Sequence, residues 1–127
     1  YEAALDYAGQ RVMFHKPIAS FQLIQRQLVE MMVGVNRGML LALHIGRKKD
    51  AGTLATAHIS MGKLDNVRMA LDVARTARSV LGANGITLEY PVIRHMNNLE
   101  SVYTYEGTNE VHTLILGQAI TGIGAFE

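Results

Sequence analysis

Residues 21–52 read FQLIQRQLVEMMVGVNRGMLLALHIGRKKDAG. Phe21, Leu28, Val35 and Ala42 recur every seven residues, and Ile24, Met31, Gly38 and Ile45 recur in the complementary phase. Two interleaved repeats of this kind over roughly 30 residues describe a narrow apolar seam, at the spacing helices use to pack in bundles. The end of the segment is also written in the residues. Arg47, Lys48 and Lys49 put cations in a last turn, and Gly52 provides the stop.

A second periodic segment follows, from about Thr53 to Leu81. Ala57, Ser60, Leu64, Val67, Leu71, Ala74 and Leu81 make its inward face, and Lys63, Arg68, Asp72, Arg75 and Arg78 populate the rest. Gly-Ala-Asn-Gly at 82–85 breaks it. Upstream, YEAALDYAGQRV (1–12) reads as helix with Tyr1, Leu5, Ala8 and Val12 on one face. No cap precedes it, so the chain is expected to start within a helix of a longer protein. Both prolines fall at boundaries: Pro17 between the first two segments, Pro91 in the first turn of a short helix. Thr108 caps a last helix with Glu110 in its first turn, and this helix is expected to bury Val111, Leu114, Ile115 and Ile120. No period-two alternation is found. The expected fold is all-α: one domain over 1–127, an antiparallel bundle of about four main helices and one short one.

Composition removes several function classes. Lysines and arginines number 12 against 11 acidic residues, spread along the chain, so no basic stripe marks a nucleic-acid surface. The chain has no cysteine, which excludes disulfides and thiolate metal sites and suits a reducing compartment. No run is read as long and charge-free enough to span a bilayer. The five histidines pair with neither one another nor carboxylates at ligand spacing, so no metal site is expected. The seven methionines fall mainly at helical spacing and are read as core filling.

Three features remain as candidates. Glu106 in TYEGTNEV (104–111) is a lone carboxylate at the mouth of a helix, walled by Tyr105 and opened by Gly107. Taken alone it is either a solvated loop charge or a base aimed at something. Arg11, three residues before Phe14, is either a helix-end cation or a phosphate fork. Gly-Ala-Asn-Gly is a helix stop whose backbone amides can also approach a ligand. Gln22 is by itself an ordinary polar residue at a helix start.

Taken together, ALDYAGQRVMFHKPIASFQLIQ (4–25) and the stretch from ALDVARTARSV to GQAITGIGAF (70–126) resemble the C-terminal domain of the flavin-dependent acyl-CoA dehydrogenases. EYPVIRHMNNLE and HTLILGQAITGIGAF look most like the glutaryl-CoA dehydrogenase branch. The resemblance implies a four-helix bundle, FAD at a subunit interface of a homotetramer, an acyl-CoA substrate and electron-transfer flavoprotein as acceptor. It implies residence in the cytoplasm or the mitochondrial matrix. Arg11, Phe14 and Gln22 would bind the FAD of a neighbouring subunit. Ser79, Gly82 and Ala83 would approach its adenosine end, and Thr108 and Phe126 would also contact it. Tyr105 and Gly107 would lie against the acyl-CoA. Glu106 would remove the α-proton while the flavin takes a hydride from Cβ, and in the glutaryl branch carbon dioxide is then lost to give crotonyl-CoA. A carboxylate is a poor base toward a carbon acid in water and a better one in a dry pocket. Three positions depart from the family pattern: His15 and Ala83 replace glycines, and Ser79 replaces a glutamine. The alternatives are another short-chain acyl-CoA dehydrogenase or an acyl-CoA oxidase and, in a different class, a non-catalytic oligomerisation bundle.

Overall fold

The structure is a computed structural model and describes residues 1–125. Five helices carry it: α1 (Glu2–Gln10), α2 (Gln22–Asp50), α3 (Thr56–Val80), α4 (Val92–Thr104) and α5 (Asn109–Thr121). The all-α bundle is as expected. At its centre α3 packs on α2, α4, α5 and the end of α1. Ala4, Ala8, Ile18, Leu28, Met31, Ala77, Val80, Leu81 and Val92 form one buried cluster.

The α2 seam is real. Leu28, Met31 and Gly38 are buried, and Ile24, Val35 and Ile45 are half-buried. Ala42 is exposed instead, and Leu41 takes its place against the core. A straight helix drifts by ~20° per heptad, so a strict seven-residue repeat slides off the contact line within about three heptads. The two long helices approach closely at Gly38 and Gly62. A Cβ at Gly38 would overlap the Met69 methyl, and one at Gly62 would overlap Ile45 Cδ1. Asn66 Nδ2 donates to the Gly38 carbonyl at 3.2 Å across this seam. The exit from α2 follows the expected design, with Gly52 at φ 68 and Thr53 N–H bonded back to the Lys48 carbonyl at 2.9 Å.

Several expectations are corrected. α1 buries Ala4 and Ala8 completely, whereas Leu5 and Val12 are 41% and 58% exposed. Small side chains let α1 sit close on the 3-10 turn Ile18–Ser20 and on α3, and this rotates the helix away from its larger residues. The helix also stops early, because Arg11 turns to extended backbone. The chain then makes a hairpin, β1 (Val12–Met13) with β2 (Lys16–Pro17), whose two-residue strands are too short to show a period-two alternation. Its loop residues Phe14 and His15 have φ 51 and 66, the signature of a type I′ turn.

On α5 the buried residues are polar, Asn109 and His112, while Val111 is half-exposed and Ile120 is 83% exposed. VHTLILGQAI is apolar on nearly every side, so the pattern names no unique inner face. The expectation that no segment suits a bilayer also fails on composition. An 18-residue window of α2 has a mean hydropathy of 1.4, since Arg37 is the one charge between Met31 and Gly46. The structure places its seam in a protein core against α3.

Candidate active site

The α4–α5 connection consists of Tyr105 to Thr108. Glu106 has φ 57 and Gly107 φ 90, two successive left-handed residues. For a glutamate this conformation costs on the order of 1–3 kcal/mol and persists only where its surroundings over-determine it. They do so here. His112 Nε2 lies 3.2 Å from the Glu106 carbonyl oxygen. A carbonyl only accepts, so Nε2 carries the hydrogen. Lys63, half-buried on α3, donates to the Tyr103 carbonyl at 3.3 Å and to the Gly107 carbonyl at 2.5 Å. Thr108 Oγ1 accepts from Val111 N–H at 3.4 Å, the expected cap. At Gly107 a Cβ would stand 2.9 Å from His112 Nε2, so position 107 needs glycine for space as well as for φ. With three carbonyls turned inward, the Glu106 side chain faces outward and is exposed, beside a Tyr105 that is 54% exposed. Four residues beyond Glu106, hydrogen bonds from its own backbone N–H and from the Thr108 hydroxyl hold the Glu110 carboxyl below its ordinary 4.5, helped weakly by Arg68 and Lys63 and opposed by partial desolvation.

A second cluster gathers the other candidates at the opposite end of α3. Arg11 is pinned through its backbone, N–H to the Tyr7 carbonyl and C=O from Ile18 N–H, both at 2.8 Å. Its exposed guanidinium has no ion-pair partner among the described residues. Arg11, Gly82 and Ala83 line one cavity of about 360 Å³ with Tyr7 and Met13. Asn84 Nδ2 donates to the Tyr7 hydroxyl at 2.9 Å, tying the Gly-Ala-Asn-Gly turn to α1. Phe14 is 78% exposed at the hairpin tip, its ring edge-on to Phe21 at 6.1 Å. Gln22 is exposed at the first turn of α2 and Ser79 on the last turn of α3. Phe126 lies outside the described residues.

Two of the three departures from the family pattern, His15 and Ala83, find local explanations here. His15 sits at φ 66, where glycine is the default residue and histidine one of the better-tolerated substitutes. Ala83 is not at positive φ, so its methyl adds no backbone strain. In the same turn Gly82 has φ 58, and a Cβ at Gly85 would run into the Arg78 carbonyl.

The two clusters do not meet. Gly107 is tied to Lys63, Gly82 follows the end of α3, and Lys63 and Ser79 are separated along the helix by about 24 Å. Sequence reading assigned Lys63 to the outer face of α3 and gave His112 no role. Their partners are 40 or more residues and 6 residues away, and neither spacing forms a pattern on one helix. No group of three metal-capable side chains exists among the described residues. The His44 and His58 rings are 6.5 Å apart, with His58 Nδ1 occupied by Ala55 N–H at the start of α3.

Comparison with known proteins shows the family and the fold. Residues 1–121 match the family "Acyl-CoA dehydrogenase, C-terminal domain". The chain is 34% identical over 117 residues to the short-chain-specific acyl-CoA dehydrogenase of Megasphaera elsdenii, covering 92% of this chain and 30% of that protein. It superposes on glutaryl-CoA dehydrogenase from Mycobacterium smegmatis with a TM-score of 0.97 at 63% identity, covering 99% of this chain and 33% of that one. A second glutaryl-CoA dehydrogenase structure from the same organism, in complex with FADH2, gives 0.96 at 52% identity over 99% of this chain and 33% of its own. The chain belongs to the acyl-CoA dehydrogenase family of FAD-dependent oxidoreductases, and it corresponds to the C-terminal domain of that family. It spans about a third of the length of these relatives.

Proposed function

We propose that this domain serves an FAD-dependent acyl-CoA dehydrogenase acting on glutaryl-CoA, with Glu106 as the base. The observation that carries the reading is an exposed carboxylate held on a left-handed loop, beside a glycine whose Cβ has no room. A rigid backbone that aims one acid outward is what proton abstraction from carbon requires, since reach and orientation dominate the rate. Glu106 takes the proton from Cα of the acyl thioester. Tyr105 supplies apolar wall, and Gly107 lies against the thioester. Bound FAD supplies the acceptor for the hydride leaving Cβ. Loss of the distal carboxylate as carbon dioxide then leaves a dienolate, and return of a proton to its γ-carbon yields crotonyl-CoA. The 63% identity to a glutaryl-CoA dehydrogenase supports this choice of substrate.

The residues fit the cofactor. A guanidinium with no ion-pair partner among the described residues, beside a turn containing a left-handed glycine, is donor chemistry suited to a diphosphate. Arg11, Phe14, Gln22, Ser79, Gly82 and Ala83 would hold one portion of the cofactor, and Thr108 and Phe126 another. Because the Arg11 and Glu106 clusters sit at opposite ends of α3, we assign them to two cofactors, each shared between neighbouring copies in a homotetramer. Electron-transfer flavoprotein would reoxidise the flavin, in the cytoplasm or the mitochondrial matrix.

The test is single-turnover flavin bleaching by the intact flavoenzyme that carries this domain. Glu106→Gln keeps size and hydrogen bonding but removes the base. The rate should fall by at least about 10²–10⁴-fold with flavin content unchanged. A variant that loads FAD, binds substrate and bleaches at the parent rate would falsify the assignment. Carbon dioxide release on glutaryl-CoA, against turnover of butyryl- and isovaleryl-CoA, decides the substrate.

A further inference from the structure

We propose that Lys63 and His112 are positioning residues that set the aim of Glu106; this rests on Glu106 being the base. Lys63 comes from the second turn of α3 and His112 from the first turn of α5, so two separate helices grip one four-residue connection. Between them they bind the carbonyls of Tyr103, Glu106 and Gly107. The Glu106 and Gly107 carbonyls follow the Glu106 Cα directly. Holding both of them fixes ψ of Glu106 and both dihedrals of Gly107, and with them the direction in which the Glu106 Cβ leaves the backbone. Every position the carboxylate can reach is set by that direction.

Helix capping alone accounts for only part of this arrangement. A lysine at the C-terminal end of α4 satisfies the Tyr103 carbonyl and the helix dipole. The same ammonium goes on to the Gly107 carbonyl, which lies beyond the helix. His112 is 8% exposed, and its Nδ1 has no hydrogen-bond partner among the described residues. A position selected for packing alone would hold an apolar side chain, because a buried polar atom left without a partner is costly. The bond that the imidazole does make goes to the Glu106 carbonyl. Its Nε2 also occupies the space into which a Cβ at 107 would project, so glycine and histidine are matched across the loop.

The experiment uses the intact flavoenzyme with four variants. Lys63→Met and His112→Leu keep apolar bulk and remove the donors, while Lys63→Arg and His112→Gln retain a donor near the same place. For the first pair we expect bleaching at saturating substrate to slow by about ten- to a hundredfold, the penalty of misplacing a reacting group by ~1 Å. Flavin content and substrate affinity should stay within about twofold, so the loss falls on kcat and not on KM. Arg and Gln should restore a large part of the rate. Amide hydrogen exchange at Tyr105 and Val111, whose N–H groups are bonded to the Ser101 carbonyl and the Thr108 hydroxyl at the two ends of the connection, should accelerate in Lys63→Met and His112→Leu, in flavin-free and flavin-loaded protein alike, with α2 unaffected. If one of the pair fails to fold, the other carries the test. Parent-like bleaching in either folded donor-less variant overturns the proposal for that residue. So does a rate loss that tracks flavin content or melting temperature and is not rescued by the conservative partner. Glu106→Gln run alongside separates the failures: if it bleaches normally the base assignment is wrong, and if it is inactive while Lys63→Met and His112→Leu are normal, only the positioning role is.

Discussion

Gly85 and Ala83 stand two residues apart in one turn and tolerate change in opposite ways. Gly85 is buried, and a methyl there meets the Arg78 carbonyl oxygen, a backbone atom that cannot rotate away. Gly85→Ala is expected to destabilise the domain by about 1–3 kcal/mol, the range for forcing extra volume into a packed site. Ala83 is exposed and free of positive φ. Ala83→Gly, which restores the commoner family residue, should therefore lower stability by roughly 0.4–1 kcal/mol by loosening the unfolded chain. Urea denaturation of both variants checks the pair, and a Gly85→Ala midpoint equal to the parent's would refute the steric argument.

At the scale of elements, α5 shows how a helix start can be bound to a site. Thr108 caps it through Val111 N–H, and the Thr108 hydroxyl also lowers the Glu110 carboxyl, after the backbone N–H of Glu110 itself. A carboxyl lowered in the folded state binds fewer protons there than in the unfolded chain, so stability rises with pH through the window between the two values. The contribution is complete above the unfolded value of about 4.5 and is lost as pH falls through the folded one. Glu110→Gln should therefore lower the melting temperature at pH 7, and the gap to the parent should narrow as pH falls below 4.5. A gap between parent and variant that is equally wide above and below this value would show that Glu110 acts through something other than its charge. By contrast the α3–α4 pair Arg75–Glu100, 2.6 Å apart but about half exposed on each side, is expected to matter little.

For the whole molecule, the unusual feature is the outer side of α2. Val29, Val33 and Leu40 follow one another at i, i+4 and i+11, with Met32, Met39 and Leu43 beside them, and all six are exposed by 43–67%. This second seam runs along the helix opposite the one that packs on α3, and its spacing suits another helix. With the Arg11 and Glu106 clusters, proposed above to serve two cofactors, at opposite ends of α3, a second copy is the occupant that would also complete each site. The 127-residue chain by itself is expected to associate and to show no turnover. Leu40→Lys together with Met39→Lys should shift its sedimentation toward the 14.0 kDa monomer without loss of helical signal. Parent protein that sediments as a monomer at micromolar concentration would rule out this face as a self-association surface.

Local chemistry was enough to establish the bundle, the ends of its long helices and the place of Glu106. Heptad spacing, the Arg47–Gly52 stop and the Thr108 cap act within a few residues of one another, so they can be read along the chain. The inner face of α1 could not be read this way, because alanines pack closer than the leucine that pattern alone favours. Nor could the inner face of α5, where apolar residues surround the helix. The Phe14–His15 turn was hidden because phenylalanine rarely adopts a left-handed conformation and a histidine alone is too weak a signal of one. Lys63 and His112 became visible only when α3, α4 and α5 were brought together. Their hydrogen bonds join residues with no common periodicity, and tertiary packing alone determines which buried polar atom faces which carbonyl.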